Sequence, residues 1–202
     1  MITSMCNSYE HTIVITNRHL VQGDFLKQLE KVTKLHPHAL ILREKDLTDD
    51  AYESLAKKVF DLCKREDITF FLHTKIEIAR KIGCQNIHLS IPVLKGLSET
   101  EKKALTEDFC EISISCHSME DVEIAMAGGA TQIILGTIFE TECKKGVLGK
   151  GVEFVREICQ KCPVPVYAIG GMNMQRLPLV IDAGAAGCCM MSGFMQTTKP
   201  LQ

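Results

Sequence analysis

The sequence predicts a single domain over residues 1–202 with the fold of a (β/α)8 barrel, or TIM barrel. Eight short apolar segments recur along the chain, and they lack the polar–apolar alternation of half-exposed strands, as expected for strands buried on both faces. Longer amphipathic segments separate them, which is the pattern of parallel β/α units. No linker rich in Ser, Gly or Pro divides the chain. A doubly wound open sheet, which needs fewer strands, is the alternative.

The predicted strands are short, apolar runs of the length expected for a barrel wall. In chain order they are Thr12–Thr16, Ala39–Arg43, Thr69–Leu72, Asn86–Leu89, Glu111–Ser115, Gln132–Gly136, Val166–Gly170 and Gly187–Met191.

The predicted helices lie between these strands. Leu47–Lys64 begins with Thr-Asp-Asp, which are good capping residues, and carries apolar residues at helical spacing. Ser118–Ala127 begins with a sequence of the capping-box form, with Asp in place of the usual Glu. Gly149–Lys161 and Met174–Ala183 continue the alternation. Only Ser192–Gln202 follows the last strand, so we expect a truncated last helix, with the barrel wall covered there by a short segment or by a partner subunit of a homo-oligomer.

Composition limits the classes of function. The net charge is −2 and Trp is absent, which argues against nucleic acid as a partner. The first residues show neither a signal peptide nor a membrane span, so we expect a soluble, cytoplasmic protein with no membrane partner. Of the ten cysteines, Cys188 and Cys189 lie in an apolar run and are interpreted as small core residues. Cys159 and Cys162 form a lone CxxC, which is a weak signal for metal or redox chemistry.

Residues that could bind a ligand or take part in a reaction cluster after the predicted strands, at the edge where parallel β/α folds bind ligands. The segment after the sixth strand contains Thr141, Cys143 and Lys144, and it combines a hydroxyl, a positive charge and nearby glycines. These groups suit a phosphorylated small molecule. Arg43 and Lys45 follow the second strand and could add positive charge. Solvated surface charge is the alternative for the lysines, and pairing with Glu44 is the alternative for Arg43.

Histidine and glycine complete the candidate site. His117 follows the fifth strand, and its imidazole is the best acid–base candidate because histidine exchanges protons near neutral pH. Ser115 and Ser118 could orient the ring; a structural cap at the helix start is the alternative. His73 is a weaker candidate, whereas His88 is interpreted as a hydrogen-bonded core residue. Glycine-bearing turns after the last two strands, Gly170-Gly171 and Ser192-Gly193, offer backbone N–H groups that can bind phosphate.

These motifs, taken together, resemble the thiamine-phosphate synthase superfamily over nearly the whole chain. They are Leu42-Arg-Glu-Lys45, Ser115-Cys-His-Ser118, Gly136–Lys144, Ala168-Ile-Gly-Gly171 and Met191-Ser192. The segment Phe139–Gly146 and the last two motifs are most similar to the TenI branch, the thiazole tautomerases. The resemblance implies a binding site for a phosphorylated thiazole, with His117 as general acid/base. It also implies that Gly171, Met191 and Ser192 hold the phosphate, and that Thr141 and Cys143 flank a carboxylate beside Lys144.

The metal-binding carboxylates of the synthase are absent at the matching positions. His73 and Thr74 stand where that family has an Asn-Asp pair, and His88–Leu94 lacks its second acidic residue. Mg2+ needs hard oxygen ligands. The main expectation is therefore a thiazole tautomerase without a cofactor, in which the role of Arg43 and Lys45, at diphosphate-binding positions of the synthase, is open. The alternatives are a Mg2+-dependent thiamine-phosphate synthase and a non-catalytic regulator that binds thiazole phosphate.

Overall fold

Eight parallel strands close into a barrel in the computed structural model, which describes residues 9–140, 146 and 148–196. The order around the barrel follows the chain, and β8 pairs with β1. The strands are β1 (Thr12–Ile15), β2 (Ala39–Leu42), β3 (Thr69–His73), β4 (Asn86–Ser90), β5 (Glu111–Cys116), β6 (Gln132–Gly136), β7 (Val166–Ile169) and β8 (Gly187–Met190). This closure confirms the (β/α)8 prediction, and the open-sheet alternative is wrong.

The side chains of the strands alternate between the barrel interior and the surrounding helices. The interior cluster is mostly apolar and includes Ile13, Ile41, Phe71 and Ile134. A larger cluster lies between the outer faces of the strands and the helices. Both faces of each strand are therefore buried, which explains the continuous apolar runs in the sequence.

At least one helix follows each strand, and two helices lie between β4 and β5. In chain order they are α1 (Phe25–Thr33), α2 (Asp49–Arg65), α3 (Ile76–Ile82), α4 (Ile91–Gly96), α5 (Glu99–Asp108), α6 (Met119–Ala127), α7 (Gly151–Lys161), α8 (Leu177–Asp182) and α9 (Ser192–Met195). The last of these is a single turn, as the prediction of a truncated last helix requires. None of the helices in the described residues is long and apolar enough to cross a bilayer.

The caps of two helices follow the sequence prediction. The side chain of Thr48 caps α2 by accepting a hydrogen bond from the N–H of Ala51. The side chain of Ser118 caps α6 by accepting one from the N–H of Asp121. The Asp121 carboxylate bonds back to the N–H of His117, one residue before the position that a capping box would use, at 2.7 Å. The cap of α6 thus holds the backbone of His117 in place.

The prediction that Cys188 and Cys189 are core residues agrees with the structure. Cys188 and Cys189 are buried in β8, and burial raises the pKa of the Cys188 thiol to about 12. Cys159 and Cys162 are free thiols at the end of α7. Burial raises the pKa of Cys159 to about 11, which disfavours the reactive thiolate.

Candidate functional site

A cavity of about 340 Å3 opens at the carboxyl ends of the strands. Its lining includes all the predicted site residues that the structure describes. These are Arg43, Lys45, Ser115, His117, Gly171, Met191 and Ser192. The other predicted residues, Thr141, Cys143 and Lys144, lie outside the described residues. The barrel topology brings the seven residues together because the ends of all parallel strands meet at one face.

The His117 ring is held in one orientation by a backbone carbonyl. Its Nδ1 lies 2.6 Å from the carbonyl oxygen of Gly136, at the end of β6. A carbonyl only accepts hydrogen bonds, so the neutral ring carries its proton on Nδ1 and leaves the Nε2 lone pair available. Nε2 has no hydrogen-bond partner among the described residues. The backbone carbonyl of His117 in turn accepts a hydrogen bond from the ammonium group of Lys150.

The expectation that Ser115 and Ser118 orient the His117 ring is wrong. The Ser118 side chain caps α6 instead, and the Ser115 hydroxyl bonds to Nε2 of His88 at 2.8 Å. The reason lies in the packing of the barrel, because β5 lies between β4 and β6. Its inward-facing serine meets the inward-facing histidine of β4, whereas the loop after β5 lies against the end of β6.

His88 and His73 are buried imidazoles on neighbouring strands, with ring centres 5.6 Å apart. His88 is hydrogen-bonded at both nitrogens, which agrees with its interpretation as a core residue. Burial, with smaller effects from His73, Arg43 and Lys45, lowers the pKa of His88 to about 3. Burial and the same two cations lower the pKa of His73 to about 4. Both rings are therefore neutral at physiological pH.

The sequence pattern did not predict His88 at the site, although His88 and His73 both line the cavity. The run that contains His88 is apolar, which indicates burial but does not separate the floor of a cavity from a closed core. The available signal was its spacing along the strand. His88 lies two residues after the polar residue Asn86, so both side chains lie on the same face of β4, opposite the apolar Ile87 and Leu89.

Arg43 is free of the ion pair that the sequence suggested. Glu44 accepts hydrogen bonds from the hydroxyl of Thr16 at 2.7 Å and from the backbone and guanidinium of Arg18 at 3.0 and 3.1 Å. Successive residues of an extended segment point to opposite faces, so Glu44 points into the wall when Arg43 points into the cavity. No carboxylate of the described residues forms an ion pair with Arg43, which therefore adds uncompensated positive charge to the cavity.

Two glycine-bearing turns lie on the far wall of the cavity. Gly171 has a φ of +61°, and a Cβ atom on it would lie 2.5 Å from the carbonyl oxygen of Glu140. Only glycine fits this close approach without a shift of the backbone. The backbone N–H groups of Gly171 and Ser192 donate to no described residue. They are therefore available to an anionic group of a ligand.

The described lining of the cavity contains no Asp or Glu. By the resemblance of the motifs, the family's metal carboxylates would stand at His73 and Thr74, at the end of β3, and in the segment His88–Leu94 at the end of β4, and neither place carries an Asp or a Glu. Nowhere in the described ranges do three or more His, Cys, Asp or Glu residues gather in a metal-binding arrangement. Mg2+ binds carboxylate and carbonyl oxygens in octahedral geometry. The donor groups described here therefore do not fit a resident Mg2+ ion.

Comparison with known proteins identifies the family. The family model described as thiamine monophosphate synthase (TMP-TENI) matches residues 12–194, which is most of the chain. The chain belongs to this family. It is therefore a member of an enzyme family of thiamine biosynthesis.

Relatives of similar length carry the name thiamine-phosphate synthase. The protein of that name from Coprothermobacter proteolyticus is 30% identical over 180 residues, covering 89% of this chain and 84% of the relative. The one from Fusobacterium nucleatum is 27% identical over 186 residues, covering 90% of this chain and 87% of the relative. A solved structure titled thiamine phosphate pyrophosphorylase from Pyrococcus furiosus superimposes with a TM-score of 0.81 at 22% identity, over 95% of this chain and 90% of that one. The structural match supports the fold alone.

Proposed function

We propose that the protein is a thiazole tautomerase, which converts a dihydrothiazole carboxylate phosphate into its aromatic isomer by moving a proton. The observation that carries this proposal is the geometry of His117. Its Nδ1–H is bound to the Gly136 carbonyl, and its Nε2 lone pair is available in a cavity without a described carboxylate. Such a ring can take a proton from a ring carbon and return it to a different atom of the same substrate.

The rest of the site positions an anionic substrate. The N–H groups of Gly171 and Ser192 would bind the phosphate, and the guanidinium of Arg43 would add attraction for a second anionic group. As His117 takes the proton it becomes an imidazolium, and its hydrogen bond to the carbonyl of Gly136 strengthens because the donor is now charged. Formation of the aromatic ring provides the driving force, so the protein needs to supply position and a proton carrier.

The second candidate is thiamine-phosphate synthase, and the names of the relatives favour it. Arg43 and Lys45 also stand at positions that bind diphosphate in that enzyme, by the resemblance of the motifs. The chemistry of the described donor groups argues against it, because a diphosphate leaving group is stabilised by a metal ion and these groups do not fit Mg2+.

Assays of the purified protein with the substrates of both reactions decide between these functions. We expect formation of the aromatic carboxythiazole phosphate that does not change when Mg2+ is removed with a chelator. Mg2+-dependent coupling of the pyrimidine diphosphate to thiazole phosphate would establish the synthase instead. Binding of carboxythiazole phosphate without any turnover of the dihydro form would establish the non-catalytic binder.

The role of His117 is tested with the variant His117→Asn, whose amide can replace the Nδ1–H donor but offers no base at the Nε2 position. We expect kcat to fall by at least about 100-fold with little change in KM, because general acid–base catalysis contributes roughly 100- to 10,000-fold. The matched control is His36→Asn, which changes a residue in the segment before β2 at the opposite end of the barrel. Full turnover by His117→Asn would show that another group carries the proton.

A further inference from the structure

A hydrogen-bonded chain of three side chains runs from the barrel interior to the cavity. Nδ1 of His88 lies 2.8 Å from the hydroxyl oxygen of Ser113, and Nε2 lies 2.8 Å from the hydroxyl oxygen of Ser115. Ser113 is completely buried, and His88 is 4% exposed. Ser115 is at the far end of the chain and lines the cavity.

The direction of these hydrogen bonds depends on the protonation of His88. The ring is buried among the strands and is neutral, since its pKa is lowered to about 3. A neutral imidazole has one nitrogen that donates and one that accepts. Only two arrangements are therefore available, and they differ in which serine donates to the ring.

Ser113 selects between these two arrangements. Its hydroxyl makes no hydrogen bond within the described part of the chain except the one to His88. If Nδ1 carried the proton, the hydroxyl hydrogen of Ser113 would be buried without an acceptor, which is rare and costly in folded proteins. If Ser113 donates to Nδ1, the hydroxyl hydrogen of Ser113 and the ring N–H of His88 both have an acceptor. Nε2 then carries the proton and donates it to the oxygen of Ser115.

We propose that His88, fixed by Ser113, is a positioning residue that makes Ser115 a hydrogen-bond donor toward the ligand. Because the Ser115 oxygen already accepts from His88, its own hydrogen is directed toward the cavity. The cavity then selects a ligand with an acceptor at this point, such as a carboxylate oxygen, a carbonyl oxygen or an unprotonated ring nitrogen. His117 has the opposite tautomer and presents a lone pair, so the two histidines give the site one donor and one acceptor.

The tautomer of His88 can be measured directly in the unliganded protein. Two-bond 1H–15N correlation spectra of protein labelled with 15N-histidine distinguish the protonated from the unprotonated ring nitrogen. We expect His88 to carry its proton on Nε2 and His117 to carry its proton on Nδ1, with the two signals assigned from spectra of His88→Gln and His117→Asn. A His88 ring protonated on Nδ1 would overturn the proposal, and this result does not depend on the activity of the protein.

Binding measurements test the effect on the ligand, and they rest on the proposed function for the choice of probe, carboxythiazole phosphate. His88→Gln keeps an N–H donor near the Nε2 position, whereas His88→Asn removes it. We expect Ser115→Ala and His88→Asn each to weaken binding by about 10-fold in calorimetry, the effect of losing one hydrogen bond to a charged group. We expect His88→Gln to bind within about threefold of wild type.

Equal binding by His88→Gln and His88→Asn would overturn the positioning role, because a purely structural role would affect both in proportion to their loss of stability. Thermal unfolding of both variants provides that comparison. If the wild-type protein does not bind carboxythiazole phosphate at all, the proposed function fails, while the tautomer measurement still decides the inference about His88 and Ser115.

Discussion

Acid should destabilise the folded protein through its two buried histidines. The pKa is lowered from an ordinary value near 6.5 to about 3 in His88 and to about 4 in His73. At a pH between the folded and the unfolded pKa, the unfolded chain binds protons that the folded chain does not. The free energy of unfolding therefore falls as the pH decreases below about 6.5. At about pH 5 protonation of one unfolded histidine contributes about 2 kcal/mol, so the two together should cost up to about 4 kcal/mol relative to pH 7.

Urea unfolding at about pH 7 and about pH 5 measures this loss, and His88→Gln isolates the contribution of one ring. We expect the free energy of unfolding of wild type to fall by about 2 to 4 kcal/mol between the two conditions, and that of the variant to fall by about 2 kcal/mol less. Paired carboxylates lose their contribution to stability only at lower pH. In Asp46, for example, the hydrogen bond from Arg18 holds the pKa below its usual range. An equal loss in wild type and variant would refute the assignment of His88 as a buried neutral ring.

Three further substitutions test the site and its support. Gly171→Ala should lower the free energy of unfolding by about 1 to 3 kcal/mol and weaken phosphate binding in calorimetry, because of its positive φ and the close carbonyl. The control is Gly96→Ala at the end of α4, where a Cβ meets nothing within 4 Å and no residue of the cavity lining is changed. Arg43→Ala should weaken binding of carboxythiazole phosphate by roughly 10- to 100-fold, the loss of a charged hydrogen bond, and unchanged affinity in calorimetry would place the guanidinium outside the ligand site. Tyr52→Phe should lower the free energy of unfolding in urea by about 2 kcal/mol. Its hydroxyl donates to the Leu42 carbonyl at 2.6 Å and accepts from the N–H of His73 at 3.2 Å. A change within experimental error would show that water replaces the hydroxyl.

The elements that the sequence predicted well have strong local signals. The eight strands were predicted because both of their faces are buried, which leaves long apolar runs. The helix Asp49–Arg65 was predicted from its caps and its apolar spacing, and its bounds differ by one or two residues from the prediction. The short helices Ile76–Ile82 and Ile91–Gly96 were not predicted, because one or two turns carry too little periodicity to stand out.

The site was predicted from position along the chain rather than from contacts. Residues after each strand were expected to meet, and His117, Arg43 and Ser115 do line one cavity. The partners of these residues were predicted less well. Glu44 bonds to Arg18 rather than Arg43, and Ser115 bonds to His88 rather than His117. Each partner comes from a neighbouring β/α unit, and sequence spacing contains no information about which side chains of neighbouring units face each other.

The order of residues alone predicted the barrel, the family and the seven described site residues that line the cavity, because burial and local turn chemistry leave patterns in that order. The arrangement of protons at the site depends on contacts that form only in the folded protein. The carbonyl of Gly136 directs the proton of His117 to Nδ1, and the buried hydroxyl of Ser113 directs that of His88 to Nε2. A tautomer depends on which donor or acceptor lies within about 3 Å of each nitrogen, and those neighbours are brought together only when the barrel closes.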